Sequence, residues 1–431
     1  MAAGNTKEDT VLKVFKFGGA SVKDACAVRN MADILRAYDQ DELIVVVSAM
    51  GKTTNALEKI LRLSRASMPE ASNVFEQLIG YHKVIAGELF KGGPNTAAPD
   101  LNKLWNELWE KLCMTHLPYD EHYDQTVSYG ELISTTIISH YFNKIGLAHH
   151  HADARKLIIT NDRFRAADPD WEATAVNVKQ LYAESDKKML LTQGFIGGTT
   201  GRKTTTLGRE GSDYTAAILA WCLNAKEVVI WKDVPGLLNA DPKRFPNATK
   251  LNHISYSEAI ELAYYGATII HPKTIKPLEN RQIPLKVQSF VNPLDPPSLI
   301  DDDRSADGVL PCFIVKDNQM LMSLRPRDFS LMNEWHLHQL FGVFNQLGLN
   351  VHVMQASARS LSICFDHEDQ KTGKVIQMLG EGYEIRYNAA LTLFTIRHFN
   401  EQLAEEFGKK GEVLLEQRSR TTLQLVMRVT N

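Results

Sequence analysis

The chain has 431 residues, of which 44% are hydrophobic and 23% are charged, and its formal net charge is −3. This length predicts two or three domains with sizeable cores. The nearly balanced charge argues against nucleic-acid and membrane partners, so any anion site must be local. No apolar run approaches the roughly 20 residues that cross a bilayer. Five cysteines without a C-x-x-C pair indicate a reducing compartment, and we expect a cytoplasmic protein.

The first elements alternate between strand and helix. VLKVFKFGG reads as a strand that ends in Gly18 and Gly19, and residues 24–38 repeat apolar positions at helical spacing. Main-chain N–H groups of such glycines can approach an anion closely, and Lys16 would add a point charge. Taken alone, a tight turn without a ligand is the more common reason for such a glycine pair.

The next strand, ELIVVVSAMG, is continuously apolar, as expected for a parallel strand covered on both faces. The MGKTT that follows is not a P-loop, because Val46 stands where that motif needs glycine. Ser48, Thr53 and Thr54 lie at the strand's carboxyl end, where α/β sheets collect ligands. Helix capping is the alternative role for these hydroxyls.

Residues 56–145 predict an inserted layer of helices. Within it, SYGELIS places Glu131 in the first turn of an apolar helix, where the helix dipole alone is a sufficient reason for a carboxylate. The triple histidine at 149–151 lacks the spacing of metal ligands, so we expect a surface cluster.

Further strands are predicted in MLLTQGFIGG, EVVIWKDVPG and IPLKVQSF, with helices in SDYTAAILAWCLN and SYSEAIELAYYGA between them. The alternation predicts an α/β fold in which helices flank a central, mostly parallel sheet. In TTTLGREGSD we expect Ser212 or Asp213 to cap the next helix, with Arg209 turned toward a ligand. Arginine's planar fork suits a carboxylate or a phosphate.

The tail has its own organisation. Residues 292–308 are rich in proline and aspartate and predict a linker, with a domain boundary near Arg304. Beyond it, the order strand, helix, strand, strand recurs about 70 residues later, which is typical of duplicated units. The second copy is short, and we expect partner subunits or the first copy to complete its sheet.

Taken in order, the motifs resemble those of aspartate kinases of the amino-acid-kinase superfamily. The motifs are KFGGASV, VVVSAMGKTTN, SYGE, DARKLIITNDRF, TQGFIGG, TTTLGREGSDYTA, WKDVPGLLNADP and IELAYYGATIIHP. The resemblance implies a three-layer αβα catalytic domain over 1–300. It also implies two ferredoxin-like ACT modules, over 305–388 and, truncated, over 389–431.

The resemblance implies a reaction as well: ATP-dependent phosphorylation of the β-carboxylate of L-aspartate, the first step toward lysine, threonine and methionine. Mg²⁺ would be held through the ATP phosphates and water rather than by protein side chains. The implied catalytic residues are Lys16 and Asp213. The implied substrate-binding residues are Ser48, Thr54, Glu131, Arg209, Gly211 and Ser212.

The implied ATP-binding residues are Lys16, Phe17, Gly18, Gly19, Lys232, Asp233, Asp241 and Lys243. A solvated loop is the alternative explanation for the charges of residues 231–245. Phe329, Ser330 and Leu331 are the implied effector contacts, with lysine as the first candidate effector and threonine as the second. Sheet edges in the tail favour a homodimer or a larger homo-oligomer.

The chain departs from the family pattern at Ala20, Glu210, Lys232, Leu238 and Thr268. Glu210 adds a negative charge beside the expected carboxylate clamp and would weaken aspartate binding if it faced inward. Two other functions therefore remain: a kinase of the same superfamily with a different acceptor, and an amino-acid sensor that has lost turnover.

Overall fold

The computed structural model describes residues 11–267 and 270–429, so Thr268 lies outside the described residues. The chain forms two compact units. Within the described residues, the first unit contains 11–237, 250–260 and 270–305, and the second contains 238–249, 261–267 and 306–429.

From Leu12 to Asp301, strands and helices alternate around one large sheet. In chain order the elements are β1 (Leu12–Phe17), α1 (Ala25–Arg36), β2 (Glu42–Val47), α2 (Thr53–Ser64), α3 (Met68–Leu89), α4 (Ala98–Leu112), α5 (Tyr119–Val127), α6 (Tyr129–Lys144), β3 (His150–Ala152), α7 (Ala154–Leu157), α8 (Trp171–Glu184), β4 (Met189–Gln193), β5 (Ile196–Gly198), β6 (Thr204–Thr206), α9 (Gly211–Leu223), β7 (Glu227–Lys232), β8 (Leu237–Leu238), β9 (Lys250–Leu251), β10 (His253–Ser255), α10 (Tyr256–Tyr265), α11 (Pro272–Arg281), β11 (Leu285–Ser289) and β12 (Ser298–Asp301).

The large sheet has the strand order β10-β12-β11-β7-β1-β2-β4-β3. Its paired neighbours are parallel except β11 and β12, which confirms the predicted mostly parallel sheet. β1 lies between β7 and β2, with Lys16 in register with Val46 and Ile230. The carboxyl ends of these three strands therefore lie side by side, and the loops that leave them can form one site.

The predicted helical layer is confirmed by α2 to α6. Its helices bury apolar faces in the same core as β1 and β2; Leu57 and Ile60 of α2 and Ile133 of α6 are fully buried. No helix within the described residues is long and apolar enough to span a membrane.

The helix predicted over 24–38 is confirmed by α1, which begins at Ala25, where the Asp24 side chain accepts the Ala27 N–H; a 3₁₀ turn, Gly19–Val22, precedes it. Two other local predictions are corrected. TQGFIGG is two strands, because Phe195 adopts a left-handed φ of 69°. The predicted linker contains β12, whose alternate residues Ser298 and Ile300 are buried in the large sheet.

From Cys312 to Val429 the chain forms a second, antiparallel sheet. Its elements are β13 (Cys312–Pro326), α12 (Glu334–Gln346), β14 (Val351–Ala356), β15 (Leu361–Asp366), α13 (Asp369–Leu379), β16 (Tyr383–Arg397), α14 (Glu401–Gly408), β17 (Gly411–Arg418) and β18 (Thr422–Val429). The repeated order of strand, helix, strand, strand is present in β13 to β15 and again in β16 to β18. The sequence pattern missed α13.

The sheet order is β14-β15-β13-β16-β18-β17, and its strands pair antiparallel, as expected for paired ferredoxin-like modules. Residues 312–316 of β13 pair with residues 393–397 of β16, next to β18. The first copy thus contributes a strand beside the short second copy. The division proposed at 388 and 389 falls inside β16.

We predict that Phe344→Ala lowers the free energy of unfolding by about 3 kcal/mol, because truncating a buried aromatic side chain leaves a cavity. Phe344 is 1% exposed in the core under α12, whereas Phe341 on the same helix is 39% exposed. Urea unfolding followed by circular dichroism measures both variants. Phe341→Ala is the matched control and should cost less than about 1 kcal/mol; equal losses would contradict this packing.

Candidate active site

A cavity of about 640 Å³ lies among the loops at the carboxyl ends of the central strands. It collects side chains from β1, from the loop after β2, from the end of β7 and from the start of α9. The predicted residues that line it are Lys16, Gly19, Ser48, Thr54, Glu131, Arg209, Gly211, Ser212, Asp213 and Lys232. Residues almost 220 positions apart in the sequence thus share one site.

Other predicted ATP-binding residues are not among those that line this cavity. The Phe17 side chain is fully buried and stacks on Trp231, with ring centroids 5.9 Å apart. Asp241 and Lys243 are exposed in the second unit, where the Asp241 carboxylate accepts the Lys243 N–H. Gly18 and the exposed Asp233 immediately follow β1 and β7.

The main ion pair of the cavity joins β1 to α9. Lys16 Nζ lies 2.6 Å from Asp213 Oδ1, and the two side chains are 11% and 4% exposed. α9 begins at Gly211, after Glu210 in a left-handed conformation, so Ser212 and Asp213 lie in its first turn. The expected capping role of these two residues is therefore wrong, and Asp213 is free to turn toward Lys16.

The loops after β1 and β2 are in close contact. A Cβ on Gly19 would lie 2.8 Å from the carbonyl oxygen of Gly51 and 2.9 Å from that of Ala49. Gly51 also donates its N–H to the Gly19 carbonyl at 3.0 Å. Because these two backbone oxygens leave no space for a side chain, this position requires glycine.

The SYGE helix supports the loop after β2. Ser134 Oγ of α6 donates to the Ser48 carbonyl at 2.8 Å, and Glu131 Oε1 accepts the Ala49 N–H at 3.3 Å. Thr53 starts α2 and its hydroxyl donates to the Met50 carbonyl, so it does not cap the helix. Thr54, the next residue, lines the cavity.

Glu131 is a buried carboxylate with an incomplete set of partners. It is 2% exposed, and Oε2 accepts no hydrogen bond within the described part of the chain. Burial raises the pKa of Glu131 to about 8, while the hydrogen bond from Ala49 opposes that shift. Because Glu131 also lines the cavity, a cation bound there would supply the missing partner.

Arg209 and Glu210 lie side by side at the cavity. Arg209 is exposed, and Oε2 of Glu210 accepts the main-chain N–H of His271 at 2.9 Å. One oxygen of the Glu210 carboxylate is therefore engaged by the backbone. Burial lowers the pKa of His271, an effect that nearby Glu210 opposes and Arg209 reinforces.

Several lining residues were not predicted: Glu58, Tyr123, Arg165 and Phe195. Arg165 is the residue immediately after the DARKLIITNDRF motif, and this position is the one feature of the sequence that could have predicted its place in the cavity. With it, the cations of the lining are Lys16, Arg165, Arg209 and Lys232, and the carboxylates are Glu58, Glu131, Glu210 and Asp213. Such a mixture suits a ligand that carries charges of both signs.

Residues 12–289 match the profile of the amino acid kinase family. The chain belongs to that family. Over 382 residues it is 33% identical to chloroplastic aspartokinase 1 of Arabidopsis thaliana, with 86% of this chain and 66% of that relative covered. Over 358 residues it is 33% identical to lysine-sensitive aspartokinase 3 of Escherichia coli, with 82% and 78% covered. Within the family, these relatives place the chain with the aspartokinases.

A solved structure of this kinase family gives the same fold. E. coli aspartokinase III, in complex with aspartate and ADP, superposes with a TM-score of 0.82 at 27% identity, and 96% of each chain is covered. In this amino acid kinase, no group of three or more His, Cys, Asp or Glu side chains is arranged for a metal within residues 11–267 and 270–429.

We predict that Glu131→Gln changes how stability depends on pH. The pKa of Glu131 is about 8 in the folded protein, above the ordinary 4.5. Protonation of Glu131 therefore favours the folded state at low pH, and the free energy of unfolding of the wild type falls as the pH rises from about 4.5 to 8. The variant should therefore be more stable than wild type at pH 8 by about 3 kcal/mol, with a much smaller difference at pH 5.

Urea unfolding at the two pH values, without substrates, measures this difference. Glu70→Gln, at an exposed glutamate in the first turn of α3, is the control and should track wild type at both pH values. Parallel pH dependence of wild type and Glu131→Gln would show that Glu131 is not a costly buried charge.

Proposed function

We propose that this kinase transfers the γ-phosphoryl group of ATP to the β-carboxylate of L-aspartate, giving 4-phospho-L-aspartate and ADP. This would be the first step toward lysine, threonine and methionine. The observation that carries the proposal is one cavity that contains the Lys16–Asp213 pair, Arg209 and the incompletely partnered Glu131. The named aspartokinase relatives support it.

Phosphoryl transfer to a carboxylate requires the protein mainly to position the two substrates and to stabilise negative charge. A carboxylate is ionised at neutral pH, so no general base is needed. Its oxygen forms the new bond to the γ-phosphorus as the bond to the ADP oxygen breaks, and ADP leaves with that electron pair. Negative charge spreads over the transferred group, and Lys16, oriented by Asp213, is placed to stabilise it together with the Gly18 and Gly19 amides.

The acceptor amino acid matches the charges of the cavity. Glu131 would pair with its α-ammonium group and Arg209 would bind a carboxylate through its planar fork. Ser48, Thr54, Gly211 and Ser212 would supply neutral hydrogen bonds. The Glu210 carboxylate, which already accepts the His271 N–H, would compete less for Arg209 than a fully free charge.

The nucleotide would extend from the glycine pair toward Lys232, with Asp233 as a further contact. The ATP-binding roles of Asp241 and Lys243, which belong to the second unit, stay predictions. Mg²⁺ would neutralise the phosphate oxygens. The carboxylates of the cavity, Glu58 and Asp213 among them, suit a hydrated ion held mainly through water.

The tail is proposed to sense an amino acid through modules at 305–388 and 389–431, with lysine before threonine as effector. The loop between β13 and α12 exposes Phe329 and Leu331, and Ser330 Oγ lies 2.8 Å from His336 Nε2. We also propose a homo-oligomer and a cytoplasmic location; five cysteines without a C-x-x-C pair fit a reducing compartment.

We predict ATP-dependent formation of a hydroxylamine-reactive acyl phosphate with aspartate, and little with glutamate or N-acetylglutamate. Lys16→Ala should lower kcat by about 100-fold or more while the KM of aspartate changes little, because the charge acts on the transition state. Hydroxamate colorimetry measures both effects.

Lys13→Ala is the matched control, because Lys13 lies on the same strand and pairs with Asp41 and Glu227 outside the cavity. Its kcat should stay within about threefold of wild type. No acyl phosphate from wild type, combined with lysine binding, would favour the sensor function; acyl phosphate from glutamate alone would favour a kinase with another acceptor.

A further inference from the structure

We propose that Arg165 is a second cation for the acceptor's α-carboxylate and that Asp124 is the residue that positions it. The inference rests on the proposed function, in which Arg165 has no role. Arg165 lines the same cavity as Lys16 and Glu131.

The backbone at Arg165 is strained, and the buried carboxylate of Asp124 stabilises it. The φ of Arg165 is +67°, in the left-handed region, which is unfavourable for a residue other than glycine. Its N–H donates to both carboxylate oxygens of Asp124, at 3.1 and 3.0 Å. Asp124 is fully buried, so this contact is shielded from water and fixes the course of the loop.

Asp124 binds a second segment in the same way. Its carboxylate accepts the Thr206 N–H at 2.8 Å and the Thr206 hydroxyl at 2.7 Å. Ala167, two residues after Arg165, donates its N–H to the Thr206 carbonyl at 2.9 Å. One carboxylate therefore joins the Arg165 loop to β6.

β6 leads directly to the Arg209 segment. Gly208 has a φ of +81°, and a Cβ there would lie 3.1 Å from the carbonyl oxygen of Arg165. The two loops are consequently packed backbone against backbone. Through these contacts, Asp124 sets the positions of two cavity cations, Arg165 and Arg209.

The guanidinium of Arg165 lies beside Tyr123, which lines the cavity together with Glu131. Its central carbon is 4.7 Å from the ring centroid of Tyr123. Burial raises the pKa of Tyr123 to about 12, and the neighbouring charges that act on it include Glu58, Arg165 and Glu131. The ammonium and α-carboxylate of an amino acid share one carbon, so an ammonium paired with Glu131 brings the α-carboxylate into the cavity that Arg165 also lines.

The existing partner of Arg165 does not prevent this role. Arg165 Nη1 lies 3.2 Å from Asp120 Oδ1, but these side chains are 44% and 60% exposed. An exposed ion pair of this kind contributes little and exchanges readily with a ligand carboxylate. Aromatic contact with Tyr123 keeps the guanidinium near the cavity during that exchange.

The test is steady-state kinetics of Arg165→Gln and Asp124→Asn at saturating ATP. Both should raise the KM of aspartate by about tenfold, with kcat within about threefold and the KM of ATP unchanged. Arg165→Lys should recover part of the loss, since it restores the charge but not the fork. Glu121→Gln is the control. Glu121 is on α5 with Asp124, and it pairs at 2.7 Å with Lys203, which does not line the cavity. The KM of aspartate for this variant should stay within about twofold of wild type.

An unchanged aspartate KM in Arg165→Gln, or a rise confined to the KM of ATP, would overturn the proposal. Should Asp124→Asn fail to fold by circular dichroism, Arg165→Gln decides alone. If wild type forms no acyl phosphate, the proposed reaction fails independently, and calorimetric titration with aspartate then decides: about tenfold weaker binding to Arg165→Gln supports the site, whereas equal binding or none to wild type overturns it.

Discussion

A charged side chain that is buried needs a partner of opposite charge or a hydrogen bond. This constraint acts on two carboxylates of the cavity, Asp213 and Glu131, and determines how the cavity is arranged. Asp213 lies almost fully buried beside Lys16, at 2.6 Å. Removing either partner would leave an isolated charge in a low-dielectric setting, which is far more costly than the pair itself. The pair also joins the central strand β1 to the first turn of α9. The glycine loop and the start of α9 are therefore joined across the cavity by this ion pair.

Glu131 is also a buried carboxylate, but its hydrogen bonding is incomplete. One of its oxygens accepts the Ala49 N–H and the other accepts no hydrogen bond within the described residues. Burial consequently favours its neutral form, and its pKa rises to about 8. A ligand with an ammonium group reverses that balance. Within the part of the chain that the structure describes, the cavity thus combines four cations with a buried carboxylate that has an unpartnered oxygen. Under the proposed function, this charge pattern matches an amino-acid acceptor.

Much of this arrangement could be predicted because parallel strands bring their carboxyl ends together. Three adjacent strands bring Lys16, near the end of β1, close to Ser48, which follows β2, and to Lys232, which ends β7. Their proximity follows from the strand order. The loop contacts could not be predicted in the same way. Arg165 reaches the cavity through a left-handed backbone held by Asp124, 41 residues away in sequence, and no local pattern encodes that contact. The capping role expected of Asp213 was wrong because a left-handed Glu210 shifts the start of α9. β12 was missed because the prolines and aspartates of residues 292–308 predict a linker, and the burial of alternate residues Ser298 and Ile300 is too short a pattern to indicate a strand.

Proton release on aspartate binding tests the central claim most directly. With a pKa of about 8, Glu131 is mostly protonated at pH 7 in the free protein, and it must ionise to pair with the ammonium group. Calorimetric titration with aspartate in buffers of different ionisation enthalpy should therefore report release of most of one proton per site at pH 7, and close to none for Glu131→Gln. Binding of aspartate to wild type without proton release, or identical release from the variant, would contradict the account.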